Sequence, residues 1–171
     1  MSYKIFIDGK EGTTGLKIFE RFAERKDLEI LSIDEDKRKD PVEKAKLINA
    51  SDYTFLCLPD AAAIESAKLC TNPNTVIIDA STAHRVNPDW AYGFPELDKS
   101  FREKIGKSNR IANPGCYASG SIAILYPLVK SGIMQKDYPV NIHAVSGYSG
   151  AGKKAIAQYE DPARNSELDS P

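Results

Sequence analysis

Short apolar runs alternate along the chain with segments of helical spacing. The apolar runs are typical of buried strands and lie at residues 3–8, 28–33, 53–58, 75–79 and 110–112. Runs that are apolar throughout are expected in a parallel sheet covered on both faces. Strands that alternate with helices in this way predict an α/β fold with a doubly wound, Rossmann-like parallel sheet.

Four helices are predicted among these strands. The second and third span residues 41–50 and 61–70. The side chains of the first helix that are expected to face inward are Leu16, Phe19, Phe22 and Ala23. The fourth helix begins at Cys116, and the face that it is expected to bury holds Ala118, Ile122, Leu125 and Val129.

Three glycines follow the first strand at intervals of three residues. Gly9, Gly12 and Gly15 enclose Thr13 and Thr14. Glycine lets a backbone approach a pyrophosphate closely, and a helix N-terminus favours negative charge. The spacing is a variant of the Gly-x-Gly-x-x-Gly fingerprint, and the alternative is a tight turn that needs positive φ. The place between strand and helix favours a nucleotide site formed by these five residues.

The residues after the second strand give opposite signals about the cofactor. Asp34 lies about twenty residues after the glycines, where an acidic side chain binds a ribose hydroxyl of NAD. Lys37, Arg38 and Lys39 follow, and their positive charge suits the 2′-phosphate of NADP. A charged run in a loop is otherwise solvated surface. We favour NADP, with Arg38 as its contact and Asp34 beside the ribose.

The pattern changes after the fourth helix. Gly132 ends that helix, and residues 139–146 alternate apolar and polar side chains, which predicts a strand without a further strand-and-helix repeat. We therefore expect a dinucleotide-binding domain over residues 1–120 and the start of a second α+β domain, for substrate or dimerisation, over residues 121–171. The second unit is too short to complete a core, so the protein either forms a homo-oligomer through it or belongs to a longer chain. The polar tail from Tyr159 is expected to be loose.

Ligands of a doubly wound sheet bind beyond the carboxyl ends of its strands. Polar segments follow three of the predicted strands, at residues 58–60, 79–82 and 113–116. Ser81 is therefore expected near the cofactor and Asn113 near the substrate.

Cys116 follows a turn made by Pro114 and Gly115 and occupies the first turn of the fourth helix. Backbone N–H groups and the helix dipole favour a thiolate there, and they could stabilise an oxyanion on a carbonyl that the sulfur has attacked. The alternative is a small buried residue at a helix end. Cys116 is the predicted nucleophile, while Cys57 and Cys70 are expected to be structural.

Two loops are candidates for binding an anionic substrate. The irregular segment 83–98 carries His84, which is either a base or a hydrogen-bonded loop histidine, and Arg85, which could hold a phosphate or carboxylate rather than form a surface salt bridge. The glycine-rich segment 146–154 lacks the Walker spacing, but Ser146, Gly147 and Lys153 could close around an anion.

Charge and composition exclude several functional classes. The 23 basic and 24 acidic residues leave no excess charge for binding nucleic acid. No apolar run is long enough to span a membrane, and the N-terminus enters a strand without a signal-peptide pattern, so a cytoplasmic protein is expected. The 3 cysteines and 2 histidines have no metal-ligand spacing, and no metal is expected.

Four motifs in this order resemble the N-acetyl-gamma-glutamyl-phosphate reductase family over residues 4–154. They are the glycine turn, residues 92–97, residues 113–117 and residues 146–153, and residues 79–85 resemble the shorter type of that family. The resemblance implies NADPH-dependent reduction of an acyl phosphate to an aldehyde in arginine biosynthesis. Cys116 would form a thioester and release phosphate, Arg85 and the 146–153 loop would hold the anionic groups, and residues 12–15 would hold the cofactor diphosphate.

Members of that family are longer, with a second domain that supplies a catalytic histidine. His143 does not match its position. Two alternatives are a sister reductase for aspartyl or aminoadipyl phosphate, and a non-catalytic NADP-binding module.

Overall fold

Six strands form one parallel sheet in the computed structural model, which describes residues 2–10, 12–145, 147, 150 and 152–161. The strands are β1 (Tyr3–Asp8), β2 (Leu28–Leu31), β3 (Tyr53–Leu56), β4 (Val76–Asp79), β5 (Ala91–Tyr92) and β6 (Arg110–Ala112). The helices are α1 (Thr13–Ala23), α2 (Pro41–Ala50), α3 (Asp60–Lys68), α4 (Lys99–Lys107), α5 (Cys116–Lys130) and α6 (Gly152–Glu160). The sheet order is β2-β1-β3-β4-β6-β5, and the predicted doubly wound fold is confirmed.

The core lies along the central strands. Ile5, Phe6 and Ile7 are all buried because β1 lies between β2 and β3 and is covered on both faces. Leu56 pairs with Asp79, and Asp79 pairs with Ala112. This register brings the carboxyl ends of β3, β4 and β6 together at one edge of the sheet.

The strands and helices predicted over residues 1–120 are present, some of them with shorter ends. β2 ends at Leu31 and β3 ends at Leu56, two residues before the ends that the apolar runs predicted in each case. The backbone N–H of Cys57 still bonds to the carbonyl of Asp8, so the contact with β1 continues one residue past the end of β3. Helix α4 was not predicted, and it begins where Asp98 accepts a bond from Ser100 N at 2.8 Å.

The inward face of α1 differs from the prediction. Leu16 is 50% exposed and Ala23 is exposed. The helix packs along a line through Gly15, which is buried, and Phe22, which was predicted to face inward and whose ring centroid lies 5.4 Å from that of Phe55. Leu16 and Ala23 lie about a quarter turn from this line at 100° per residue.

The four side chains predicted to face inward on α5 are partly buried, and none of them is exposed. The expectation of a strand in the second unit is wrong. Residues 139–145 form no strand, and Val140 and Ile142 are 46% and 55% exposed. Within the described chain no further strand lies beside this segment, and an unpaired strand leaves its backbone groups without partners. Ser146 and residues 162–171 of the tail lie outside the described residues, while Tyr159 belongs to α6.

Candidate active site

Backbone geometry requires glycine at two positions of the N-terminal turn. Gly9 has φ +88°, and a Cβ there would lie 2.4 Å from the carbonyl oxygen of Cys57. A Cβ on Gly15 would lie 2.3 Å from the carbonyl oxygen of Gly9. The turn therefore brings β1, β3 and α1 into direct backbone contact.

Gly12 opens the N-terminus of α1. It occupies the N-cap position, and none of the described side chains caps the helix. Thr13 starts the helix, and Thr14 is exposed. The first-turn N–H groups of the helix thus lie where an anion such as a diphosphate could accept from them.

Cys116 is the first residue of α5 and its thiol is free and exposed. Gly115 is the N-cap, and no described side chain caps this helix either. The preceding turn is fixed to the sheet because Asn113 N donates to the carbonyl of Asp79 at 2.8 Å. The sulfur therefore sits at the positive end of a helix on a well-anchored turn.

Arg85 links the turn after β4 to the turn that precedes Cys116, residues 113–115, here called the cysteine turn. Its Nε donates to the carbonyl of Asn113 at 3.0 Å, and Nη2 donates to the carbonyl of Ala80 at 3.1 Å. A Cβ on Gly115 would lie 2.7 Å from Nη1, so the guanidinium lies against that glycine. No carboxylate among the described residues forms an ion pair with Arg85.

One cleft of about 700 Å³ joins these features. Its lining includes Gly12 and Thr14 from the glycine turn, and Arg85, Asn113 and Cys116 from the strand ends. It also includes two cations that the sequence patterns did not single out, Lys17 and Arg21. Their spacing of four residues, directly after a glycine turn, is a signal that could have found them. The described lining holds three cations and no carboxylate, so the cleft favours an anionic ligand.

A smaller pocket of about 390 Å³ lies beyond β1 and β2. Its lining includes Gly9, four cations (Lys10, Arg38, Lys39 and Lys44) and the carboxylates of Asp8 and Glu35. Lys44 Nζ lies 3.0 Å from Asp8 Oδ2, and Arg38 Nη1 lies 3.8 Å from Glu35 Oε1. Arg38, which the basic cluster suggested as the contact for a 2′-phosphate, therefore lies at a pocket. Asp34 does not line it; its side chain is 75% exposed and lies 3.6 Å from the ammonium of Lys37.

Ser81 and His84 are buried, and they line neither the large cleft nor the smaller pocket. Ser81 Oγ donates to Asp79 at 2.7 Å, and His84 Nδ1 lies 2.7 Å from the same carboxylate. His84 is thus the hydrogen-bonded loop histidine of the two alternatives. The predicted contact of Ser81 with a cofactor stays a prediction.

Comparison with known proteins places this geometry in a family. The model of the semialdehyde dehydrogenase NAD binding domain matches residues 4–107, and that of the semialdehyde dehydrogenase dimerisation domain matches residues 116–170. The chain belongs to the semialdehyde dehydrogenase family.

Curated relatives confirm the resemblance that the motifs indicated. The chain is 52% identical over 158 residues to N-acetyl-gamma-glutamyl-phosphate reductase 2 of Pseudomonas putida, covering 92% of this chain and 50% of the relative. It is 53% identical over 169 residues to N-acetyl-gamma-glutamyl-phosphate reductase of Brucella anthropi, covering 98% and 54%. The chain spans about half the length of the curated relatives it matches.

Solved structures support the same fold. Aspartate semialdehyde dehydrogenase II of Vibrio cholerae, complexed with ASA, matches with a TM-score of 0.62 at 18% identity, over 92% of this chain and 50% of that chain. Aspartate semialdehyde dehydrogenase of Francisella tularensis matches with a TM-score of 0.64 at 16% identity, over 97% and 53%. At these identities the likeness concerns the fold alone.

The glycine-rich segment of the chain reaches the cleft through Gly150, which lines it. Gly150 N donates to the carbonyl of Gly147 at 2.9 Å. Ser146 lies outside the described residues, and so does the side chain of Lys153, which lies in α6. Their predicted contacts with an anion stay predictions.

The cysteines of the chain differ in their surroundings. Cys57 lines the cleft, and burial raises its pKa to about 11, with smaller contributions from the carboxylates of Asp8 and Asp79. Cys70 lies 3.6 Å from the carbonyl of Asn72. Neither forms a disulfide. Cys116 alone combines an exposed thiol with a helix N-terminus.

An apolar groove of about 680 Å³ lies on the other side of Cys116, within the segment that matches the dimerisation domain. Its lining includes Ile124, Tyr138, Val140 and Ile142, which are 46% to 65% exposed. His143 also lines it.

Among the described residues, no His, Cys, Asp and Glu side chains cluster in a way that could hold a metal ion. The described helices include none with the length and apolar character needed to cross a bilayer.

Proposed function

We propose that this protein reduces N-acetyl-gamma-glutamyl phosphate to N-acetylglutamate semialdehyde with NADPH, the step of arginine biosynthesis that the resemblance implies. The observation that carries the proposal is the cleft that joins the N-terminus of α1 to the thiol of Cys116. A reductase of this kind needs a dinucleotide and a nucleophile within reach of each other, and the relatives named above bear this activity in their names. In this proposal the reaction takes place in the cytoplasm.

Cys116 is the proposed nucleophile. Its thiolate attacks the acyl carbon, a C–S bond forms, and the C–O bond to phosphate breaks as phosphate leaves. The N–H groups of the first turn of α5 stabilise the oxyanion of the tetrahedral intermediate. A nicotinamide held in the cleft would supply the hydride that reduces the thioester carbon. The resulting tetrahedral oxyanion then re-forms its carbonyl bond as the C–S bond breaks, which releases the aldehyde and returns the sulfur to thiolate.

Arg85 and Asn113 hold the substrate in this proposal. Nη1 of Arg85 has no hydrogen-bond partner among the described residues, so it is available to an oxygen of a phosphate or carboxylate. Asn113 is exposed at the mouth of the cysteine turn. Ser146, Gly147 and Lys153 complete the anion site by the resemblance.

The dinucleotide fits the two pockets. The uncapped N-terminus of α1 at Gly12, which lines the larger cleft, suits the diphosphate. Arg38 and Lys39, in the smaller pocket, suit the 2′-phosphate of NADP. Neither Asp34 nor Ser81 lines either pocket, so the predicted contacts of Asp34 with the ribose and of Ser81 with the cofactor remain predictions.

Residues 1–120 form the dinucleotide-binding domain in this proposal, and residues 121–171 begin a substrate and dimerisation domain. A homo-oligomer is supported by the match to a dimerisation domain and by the exposed apolar groove along α5. The partners are the acyl phosphate and phosphate; no nucleic acid or membrane is involved.

Turnover in the reverse direction tests the proposal. N-acetylglutamate semialdehyde, phosphate and NADP should give phosphate-dependent NADPH formation, and Cys116→Ser should abolish it. Cys70→Ser is the matched control and should retain the activity. Turnover that survives Cys116→Ser contradicts the proposal. Cofactor binding without turnover in the wild type favours the NADP-binding module, and faster turnover of aspartate semialdehyde favours the sister reductase.

A further inference from the structure

A buried polar cluster lies beneath the floor of the cleft, at the carboxyl end of β4. The side chain of Asp79 is fully buried. Oδ1 accepts from Ser81 N at 2.9 Å, and Oδ2 accepts from Ser81 Oγ at 2.7 Å and lies 2.7 Å from His84 Nδ1. All of these groups belong to residues 81–84, so the carboxylate determines the path of the turn that follows β4.

The imidazole of His84 is held on a second side. It stacks on Trp90 with ring centroids 3.9 Å apart and an interplanar angle of 12°. Trp90 belongs to the core cluster together with Leu56 and Ile77. His84 is 7% exposed, so its ring is held in one orientation by these contacts. The backbone at His84 is therefore fixed relative to the sheet.

The next residue is Arg85, whose guanidinium bonds to the carbonyls of Ala80 and Asn113 and lies against Gly115. The other end of the same turn is held by Asp60, which accepts from Thr82 N at 2.9 Å. These contacts hold Arg85 in one position.

We propose that His84 is a positioning residue: by bonding to Asp79 and stacking on Trp90 it fixes the guanidinium of Arg85 beside the cysteine turn. His84 lines neither space, so it acts through Arg85 and not on a ligand. This inference rests on the roles proposed for Arg85 and Cys116.

Alkylation of Cys116 tests the inference without turnover. Iodoacetate is an anion and iodoacetamide is neutral, so the ratio of their rate constants reports the positive charge beside the thiol. Arg85→Gln should lower this ratio roughly threefold or more. His84→Gln places its amide beyond the position of Nδ1 and should lower the ratio nearly as far. His84→Asn places its amide nitrogen where Nδ1 lies and should retain it.

A double variant and a remote variant separate positioning from stability. His84→Gln in the Arg85→Gln background should lower the ratio no further. Thr54→Val removes a buried bond of 2.7 Å between Thr54 Oγ1 and Ser51 Oγ; it should lower the melting temperature and leave the ratio unchanged.

Three results would overturn the inference. They are an unchanged ratio in His84→Gln, an unchanged ratio in Arg85→Gln, and an equal fall in Thr54→Val. A wild-type protein that lacks turnover but shows the expected ratios would contradict the proposed function and leave this inference standing.

Discussion

Cys116 and Cys57 line the same cleft, but they differ in burial and therefore in expected reactivity. The thiol of Cys116 is exposed at the start of α5. Burial, with the carboxylates of Asp8 and Asp79, raises the pKa of Cys57 to about 11. A buried thiol near two carboxylates stays protonated and weakly nucleophilic at neutral pH.

Alkylation should therefore distinguish the two thiols. At pH 8 only about a thousandth of Cys57 is thiolate, so iodoacetamide should modify Cys116 at least about tenfold faster. Since a raised pKa delays ionisation, the rate at Cys57 should climb between pH 9 and pH 11. Peptide mass spectrometry checks both sites, with Cys116→Ser as control. Equal rates at neutral pH would contradict the assignment of Cys116 as the reactive thiol.

Gly15 should tolerate no side chain. Gly15→Ala puts a Cβ 2.3 Å from the carbonyl oxygen of Gly9, so the helix or the turn must move. The free energy of unfolding should fall by at least about 2 kcal/mol. Gly106→Ala is the matched control, because it has open space in α4 and should raise stability by about 0.5–1 kcal/mol. Denaturant unfolding measures both, and a mild effect at Gly15 would mean that the turn is not closely packed.

At the scale of elements, the connection between β2 and α2 carries the two residues that gave opposite signals about the cofactor. The sequence places Asp34 and Arg38 close together, and the fold separates them: Arg38 lines the pocket and Asp34 points to solvent beside Lys37. The exposed pair of Asp34 and Lys37 is weak and does not hold either residue strongly.

Arg38→Gln should weaken NADP binding about tenfold and leave NAD binding nearly unchanged, because only NADP carries the 2′-phosphate. Isothermal titration calorimetry measures both cofactors. Arg25→Gln is the control, since Arg25 pairs with Asp27 outside both pockets. If Arg38→Gln weakened NAD and NADP equally, the arginine would not read the phosphate.

Sequence patterns located most elements because their signals are local. The glycine turn and the start of α5 could be found from residue type and position alone. The sequence could not show that residues 139–145 form no strand, because strand formation depends on a neighbouring strand and the described chain supplies none. The inward face of α1 was predicted correctly at Phe22 but wrongly at Leu16 and Ala23, since Gly15, and not these apolar side chains, lies against the turn at Gly9.

At the scale of the whole molecule, the described chain has one covered sheet and one open apolar groove. Along the groove, Ile124 is 65% exposed and Tyr138 is 62% exposed. Exposed apolar patches of this kind mark protein interfaces.

The candidate site depends on contacts between distant parts of the chain. Arg85 and Cys116 were predicted from residue type, but the two carbonyls that hold Arg85 follow from the register of β4 and β6.

Ile124→Arg should weaken self-association of the protein by roughly tenfold or more, because it places a charge in the apolar interface. Analytical ultracentrifugation over a concentration series measures the change. Val86→Arg is the control at a position that is 95% exposed and outside the groove. A loss of association in the control alone would place the interface elsewhere.

Strand β5 lies at the edge of the sheet, outside β6, although it precedes β6 in the chain. Among the described strands its only partner is β6, at residues 110–112. Trp90, the one tryptophan of the chain, directly precedes β5 and is buried against residues of β3, β4 and β6. Its fluorescence therefore reports whether this edge of the sheet, next to the turn that carries Arg85, has its folded packing.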